Sequence, residues 1–150
     1  MPGIRGVAFD LEGTVIDVEF AHFQAFWHAA KEVGVYFDPH NITEDMAHKI
    51  PNAIGGGDVL ISEGISRLSG GKVPAEAIRT SKAYFYNKMI EELKSIEPRA
   101  GFLDVFDQIQ TFGLPRAIAS LTERRQAEVL LERSGIGKLF PPHLILLQDS

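Results

Sequence analysis

The sequence predicts an α/β protein: a partial Rossmann-like, parallel, three-layer sheet core interrupted by an inserted all-helical cap. Three observations support this. Short apolar runs that read as buried strands lie near residues 5–10, 115–120 and 143–147. Helical patterns separate the last two, as expected when parallel strands need a crossover. Between the first and second runs, four helical patterns follow one another without a strand, so residues 15–95 are expected to form the cap, with 1–14 and 96–150 as the core. A core this short holds three strands where doubly wound sheets commonly have five or six, and it reads as incomplete.

Each element has a local reason. Ile4-Arg-Gly-Val-Ala-Phe-Asp10 is a strand ending in an acid, and Gly13 supplies a turn. From Val18 to Val33 the positions Phe20, Phe23, Phe26, Trp27 and Ala30 recur at helical steps and are expected to form a buried face, with Gly34 as the stop. Asn41 and Glu44 form a capping pattern for a helix that Pro51 ends. Val59 to Leu68 reads as a third helix closed by Gly70-Gly71. A fourth begins at Pro74, with Ile78, Ala83, Phe85, Met89, Ile90 and Leu93 available for packing. Phe102, Val105, Phe106 and Ile109 then mark one helix face before Gly113, and Leu114 to Ser120 forms the second strand. Thr122 could cap a helix carrying Ala127, Leu130 and Leu131, and His143 to Leu147 forms the third strand.

Composition excludes several functions. The chain has 150 residues, 15 Lys+Arg against 20 Asp+Glu and no cysteine. Without a basic run it is a poor ligand for nucleic-acid phosphates. Without cysteine there is no disulfide, thiolate zinc site or cysteine nucleophile. Apolar runs such as Val129–Leu131 and Leu144–Leu147 fall far short of the roughly 18 residues that span a bilayer, and no leader pattern opens the sequence. A cytoplasmic location is therefore expected. Gly55-Gly-Gly-Asp and Gly70-Gly-Lys-Val lack phosphate-loop spacing, and the histidines have no zinc-ligand spacing.

The segment with chemical content is Phe9-Asp10-Leu11-Glu12-Gly13-Thr14. Two carboxylates two residues apart at a strand end can both face the crevice where open α/β sheets bind ligands, one attacking while the other moves protons. Acids and glycine are also ordinary turn residues. The string alone leaves both readings open.

This segment joins Val15-Ile-Asp17, Pro98-Arg-Ala-Gly-Phe-Leu-Asp-Val-Phe106, Leu114-Pro-Arg-Ala-Ile-Ala-Ser120 and Glu128 to Phe140 in an order that resembles the haloacid dehalogenase superfamily. The similar subgroup has a helical cap and includes phosphoglycolate phosphatases and beta-phosphoglucomutases. The resemblance implies that Asp10 is the nucleophile, forming an aspartyl-phosphate, and a Mg²⁺ ligand. Glu12 falls at the acid/base position and would give the metal its backbone carbonyl. Ser120 would contact the phosphoryl group, and Leu11, Thr14 and Leu121 are expected beside it. His22 matches a histidine near the cap hinge, although a polar residue on an exposed helix side reads equally. Lys49 lies with Asn52 and Gly55–Gly57 where relatives carry a specificity loop, or where a plain linker would lie. Thr122, Glu123 and Arg124 either meet substrate or begin a helix.

The implied activity is Mg²⁺-dependent phosphatase or phosphomutase chemistry on a small phosphorylated metabolite. Alternatives are a haloacid dehalogenase, which has no need of an acid at position 12, and a non-catalytic fragment or binding protein. The family's Lys and acidic metal pair normally follow the third strand. Here Gln148-Asp149-Ser150 follows it, and Asp149 matches a different acidic position, so this chain is expected to be inactive alone. An exposed edge of the first strand is expected to favour self-association.

Overall fold

The computed structural model describes residues 3–148, so Asp149 lies outside the described residues. These contain strands β1 (Val7–Phe9), β2 (Arg116–Ala119) and β3 (Ile145–Leu146). The helices are α1 (Glu19–Glu32), α2 (Ile42–Lys49), α3 (Gly57–Leu68), α4 (Ala75–Glu92), α5 (Phe102–Thr111) and α6 (Arg124–Ser134). Two compact units result: Met1–Glu19 with Ile90–Ser150, and Phe20–Met89.

In the first unit the strands are parallel in the order β1-β2-β3. Val7, Ala8 and Phe9 pair with Arg116, Ala117 and Ile118, and Ile118 with Ile145. The strands are shorter than the apolar runs that announce them. For β3 the cause is local: Pro141 and Pro142 lack N–H donors, and Pro142–Leu144 folds into a 3-10 turn that leaves two residues for the ladder. Phe102 and Phe106, one turn apart on α5, face inward and meet Phe9 and Phe140. Ring centroids are 5.3 Å apart for Phe9–Phe102 and 5.5 Å for Phe106–Phe140, both edge to face, the favourable arrangement for aromatic quadrupoles. On α6, Ala127, Leu130 and Leu131 are buried, and Gly135 closes the helix at φ 72°, a left-handed position that glycine occupies without a Cβ penalty. The side chain capping α6 belongs to Glu123, which accepts the Arg125 N–H at 3.2 Å. Thr122 is therefore not the cap. Its hydroxyl is engaged elsewhere.

The second unit has its own core of Phe23, Phe26, Ala29 and Ala30 from α1, Met46 and Ile50 from around α2, Ile61 and Ile65 from α3, and Ile78 from α4. Phe20 is exposed instead of joining this face. Trp27 is half-buried, its indole N–H donating to the Phe37 carbonyl at 3.0 Å. Asn41 sits at the N-cap of α2 without closing its side chain onto the helix. Asp45 reaches back instead and accepts the Asp38 N–H at 2.8 Å. Along α4 the fully buried positions in this unit are Ile78, Lys82 and Tyr86, spaced by four, while Ala83, Phe85 and Met89 are half-buried and Phe85 stacks on His28.

Candidate active site

Because Phe9 pairs with Ile118 in a parallel ladder, Asp10 and Ser120 both leave the sheet at its carboxyl edge. Ligands bind at this edge in open α/β sheets. Asp10 is exposed there, with its carboxylate available to solvent and ligand.

The following loop is tightly held. Leu11, Val15 and Ile16 are fully buried, and the Leu11 carbonyl accepts the Val15 and Ile16 N–H groups at 3.0 and 3.1 Å. Gly13 takes φ 74°, and its N–H donates to the Ile16 carbonyl at 2.8 Å. Arg99 clamps the loop from outside: its guanidinium donates to the Gly13 carbonyl at 2.7 Å and its N–H to the Val15 carbonyl at 2.8 Å. Buried aliphatic anchors thus fix the backbone on either side of Glu12. Leu11 itself can offer a ligand only its main chain, since its side chain is in the core. Thr14 is exposed on the same loop.

Glu12 is half-buried and its Oε2 accepts the Thr122 hydroxyl at 2.9 Å. Thr122 Oγ1 also lies 2.8 Å from Ser120 Oγ, which accepts the Thr122 N–H at 3.2 Å. A hydroxyl has one proton. With that of Thr122 directed to Glu12, Ser120 is the donor to Thr122, so the three residues form a directed chain from Ser120 to Glu12. Leu121, between them, points out and is 86% exposed.

Asp10, Glu12 and Ser120 therefore come together, and Thr122 joins them. His22 and Lys49 belong to the helical unit. The Lys49 ammonium donates to Asp45 Oδ2 at 2.7 Å and to the Tyr36 carbonyl at 3.1 Å. With the Lys49 ammonium beside it and the Asp38 N–H donating to it, the Asp45 carboxyl is held below its ordinary range. His22 stacks on Tyr86 at 4.2 Å between centroids, and its Nδ1 is 2.8 Å from Lys82 Nζ. Lys82 is 3% exposed, bonds Asp58 Oδ2 at 2.6 Å and lies over the Phe26 and Tyr86 rings. Sequence reasoning missed this lysine. Its signal was its place on the Ile78–Lys82–Tyr86 stripe, where an apolar residue belongs. The Glu12–Thr122 bond had no signal, because it joins residues 110 apart in sequence.

As a magnesium site, the edge offers oxygen donors of the right hardness: the Asp10 carboxylate and the Glu12 carbonyl. Mg²⁺ commonly takes one or two carboxylates and fills its shell with water and phosphate. No group of three or more acidic or histidine ligands occurs among the described residues. No helix among them is long and apolar enough to cross a membrane.

A parallel sheet with two carboxylates and a hydroxyl at its carboxyl edge, in a chain that also folds a separate helical unit, defines the class as α/β with a helical insertion. The haloacid dehalogenase-like hydrolase family model matches residues 4–149, and the chain belongs to that family. Among solved structures it is similar to a Thermotoga maritima protein provisionally assigned as a beta-phosphoglucomutase, at 20% identity and a TM-score of 0.66 over 97% of this chain and 62% of that one. A predicted phosphoglycolate phosphatase from Haemophilus somnus matches at 16% identity and a TM-score of 0.67, over 98% and 64%. CbbY from Rhodobacter sphaeroides, solved in complex with phosphate, matches at 20% and 0.59, over 98% and 64%. At these identities the likeness is one of fold. The chain spans a little over three fifths of the length of these proteins.

Proposed function

We propose that this chain carries the nucleophile half of a Mg²⁺-dependent phosphatase or phosphomutase acting on a small phosphorylated metabolite. The observation that carries the reading is the exposed Asp10 at the sheet edge where Glu12 and Ser120 are joined through Thr122. Asp10 attacks phosphorus, Glu12 protonates the departing alkoxide, and the Ser120 hydroxyl, turning its one proton from Thr122 to the ligand, donates to a phosphoryl oxygen. In the second half-reaction Glu12 takes a proton from the water or hydroxyl that attacks the aspartyl-phosphate. A bound Mg²⁺, held by the Asp10 carboxylate and Glu12 carbonyl, would offset charge on the transferring group. His22 and Lys49 are proposed substrate contacts of the helical unit. The resemblance places the remaining phosphate-binding lysine and acidic metal pair beyond the third strand, so residues 1–150 by themselves are expected to be inactive. Glu12 favours phosphate esters over 2-haloacids, since dehalogenation needs no alkoxide protonation.

The test is turnover of matched alkyl and aryl phosphates against 2-haloacids by a chain extended to carry the family's C-terminal lysine and acidic pair. Glu12→Gln should lower alkyl phosphate turnover by about 10²–10⁴-fold and aryl phosphate turnover less, because a good leaving group needs no acid. Equal losses on both esters would count against Glu12 as leaving-group acid. Haloacid turnover without phosphatase activity would overturn the reading.

A further inference from the structure

We propose that Thr122 is a positioning residue for Glu12, and that the glutamate at position 12 and the hydroxyl at position 122 are matched to each other in length. The inference rests on the reading of Glu12 as acid/base. A glutamate side chain has three rotatable bonds, and fixing a long flexible side chain costs up to roughly 2 kcal/mol of rotamer freedom. An unheld carboxylate would spend much of its time away from the leaving-group oxygen. Thr122 is suited to hold it. The residue is buried, and branching at Cβ restricts its χ1. It lies three residues past the end of β2, and its own N–H is tied to Ser120 Oγ at 3.2 Å. The anchor is thus stiff before Glu12 arrives.

The length match follows from geometry. The Thr122–Glu12 bond is 2.9 Å. Removing one methylene draws the carboxylate back by about one C–C bond length, roughly 1.5 Å, which takes the contact beyond hydrogen-bonding distance. An aspartate on this backbone would not reach Thr122. The same hydroxyl also touches Ser120, so the group proposed to bind the phosphoryl oxygen and the group proposed to move the leaving-group proton share one anchor.

The test combines Thr122→Val, Thr122→Ser, Glu12→Asp and the Glu12→Asp/Thr122→Val pair. The Glu12 side-chain rotamer is read by carbon-detected NMR couplings on residues 1–150, and turnover of an aryl and an alkyl phosphate is read on the chain extended by the family's C-terminal lysine and acidic pair. Thr122→Val should shift the Glu12 rotamer populations and lower kcat for the alkyl ester by about 10- to 100-fold, the cost of a misplaced group, with KM within about twofold. Thr122→Ser should restore both readouts. In the Glu12→Asp background, Thr122→Val should add a smaller loss than it causes alone, the remainder acting through Ser120, whereas a purely structural role for Thr122 would leave its effect undiminished. An unchanged Glu12 rotamer in Thr122→Val, equal damage from Ser and Val, or an undiminished Val effect on top of Glu12→Asp would each overturn the proposal. If no phosphate ester is turned over by any variant, the phosphotransfer reading fails, and the rotamer couplings still decide the positioning.

Discussion

Asp58→Ala and Lys82→Met remove opposite ends of one ion pair, and the structure predicts unequal costs. The Lys82 side chain is 4% exposed and that of Asp58 46%. Removing Asp58 strands a buried ammonium, and breaking a buried pair from one side costs about 3–5 kcal/mol. Lys82 keeps His22 Nδ1 at 2.8 Å and two aromatic faces, which places the cost near the lower end, about 3 kcal/mol. Loss of Asp58 from the first turn of α3 adds a few tenths through the helix dipole. Lys82→Met leaves a solvated carboxylate and fills the space with a side chain of similar length, so the cost should be about 1 kcal/mol or less. Trp27, the single tryptophan, lies in the same helical unit and reports its unfolding by fluorescence in urea. With an m-value of about 1.5 kcal/mol/M, Asp58→Ala should lower the midpoint by about 2 M and Lys82→Met by less than about 0.7 M. Equal shifts, or a larger one for Lys82→Met, would refute the claim that the buried charge dominates this cluster.

Other perturbations test other parts of the structure. A Cβ on Gly64 would lie 2.4 Å from Ile50 Cγ2 in the core, so Gly64→Ala should destabilise the helical unit by about 1–2 kcal/mol net of its better helix propensity. In an Ile50→Ala background the same change should be neutral or stabilising in the urea assay. The Asp45 carboxyl is lowered by Lys49 and the Asp38 N–H, so its stabilising contribution is present above the unfolded value near 3.8 and is lost as pH falls through the lower folded value. Lys49→Met should reduce that acid-limb slope in pH-dependent melts. Val7 donates its N–H to the Pro115 carbonyl on the β2 side, so Ala8 directs its N–H to the other edge, where no strand pairs among the described residues. We propose self-association through this edge. Sedimentation should show concentration-dependent oligomers that Ala8→Lys suppresses, and a monomer at all concentrations would count against it.

The parallel sheet and the helical segments were legible because each announces itself locally: apolar runs ending in Asp10 and Ser120, aromatic residues at helical steps, and glycines where helices stop. Strand length was not, because a ladder needs a neighbour and Pro141-Pro142 removes donors beside β3. Asp10, Glu12 and Ser120 were legible as a motif, and the shared edge follows from parallel pairing. Thr122 kept two readings in the sequence because a threonine ahead of a helix is locally indistinguishable from a cap. Only the folded chain shows its hydroxyl committed to an acid 110 residues away. Lys82 escaped notice for the opposite reason: lysines are read as surface residues, and burial of this one depends on Asp58 and His22 reaching it from other helices.

The central claim, that Asp10 is a phosphoryl-accepting nucleophile, is tested most directly by trapping the intermediate. Residues 1–150, and a chain extended to carry the family's C-terminal lysine and acidic pair, would each be mixed with an activated phosphate donor and Mg²⁺, quenched in acid, and the modified peptide sequenced by mass spectrometry. A hydroxylamine-labile phosphate on Asp10 of the extended chain, absent from Asp10→Asn and weak or absent in residues 1–150, is the predicted result. Phosphate on another residue, or undiminished labelling in Asp10→Asn, would contradict the account.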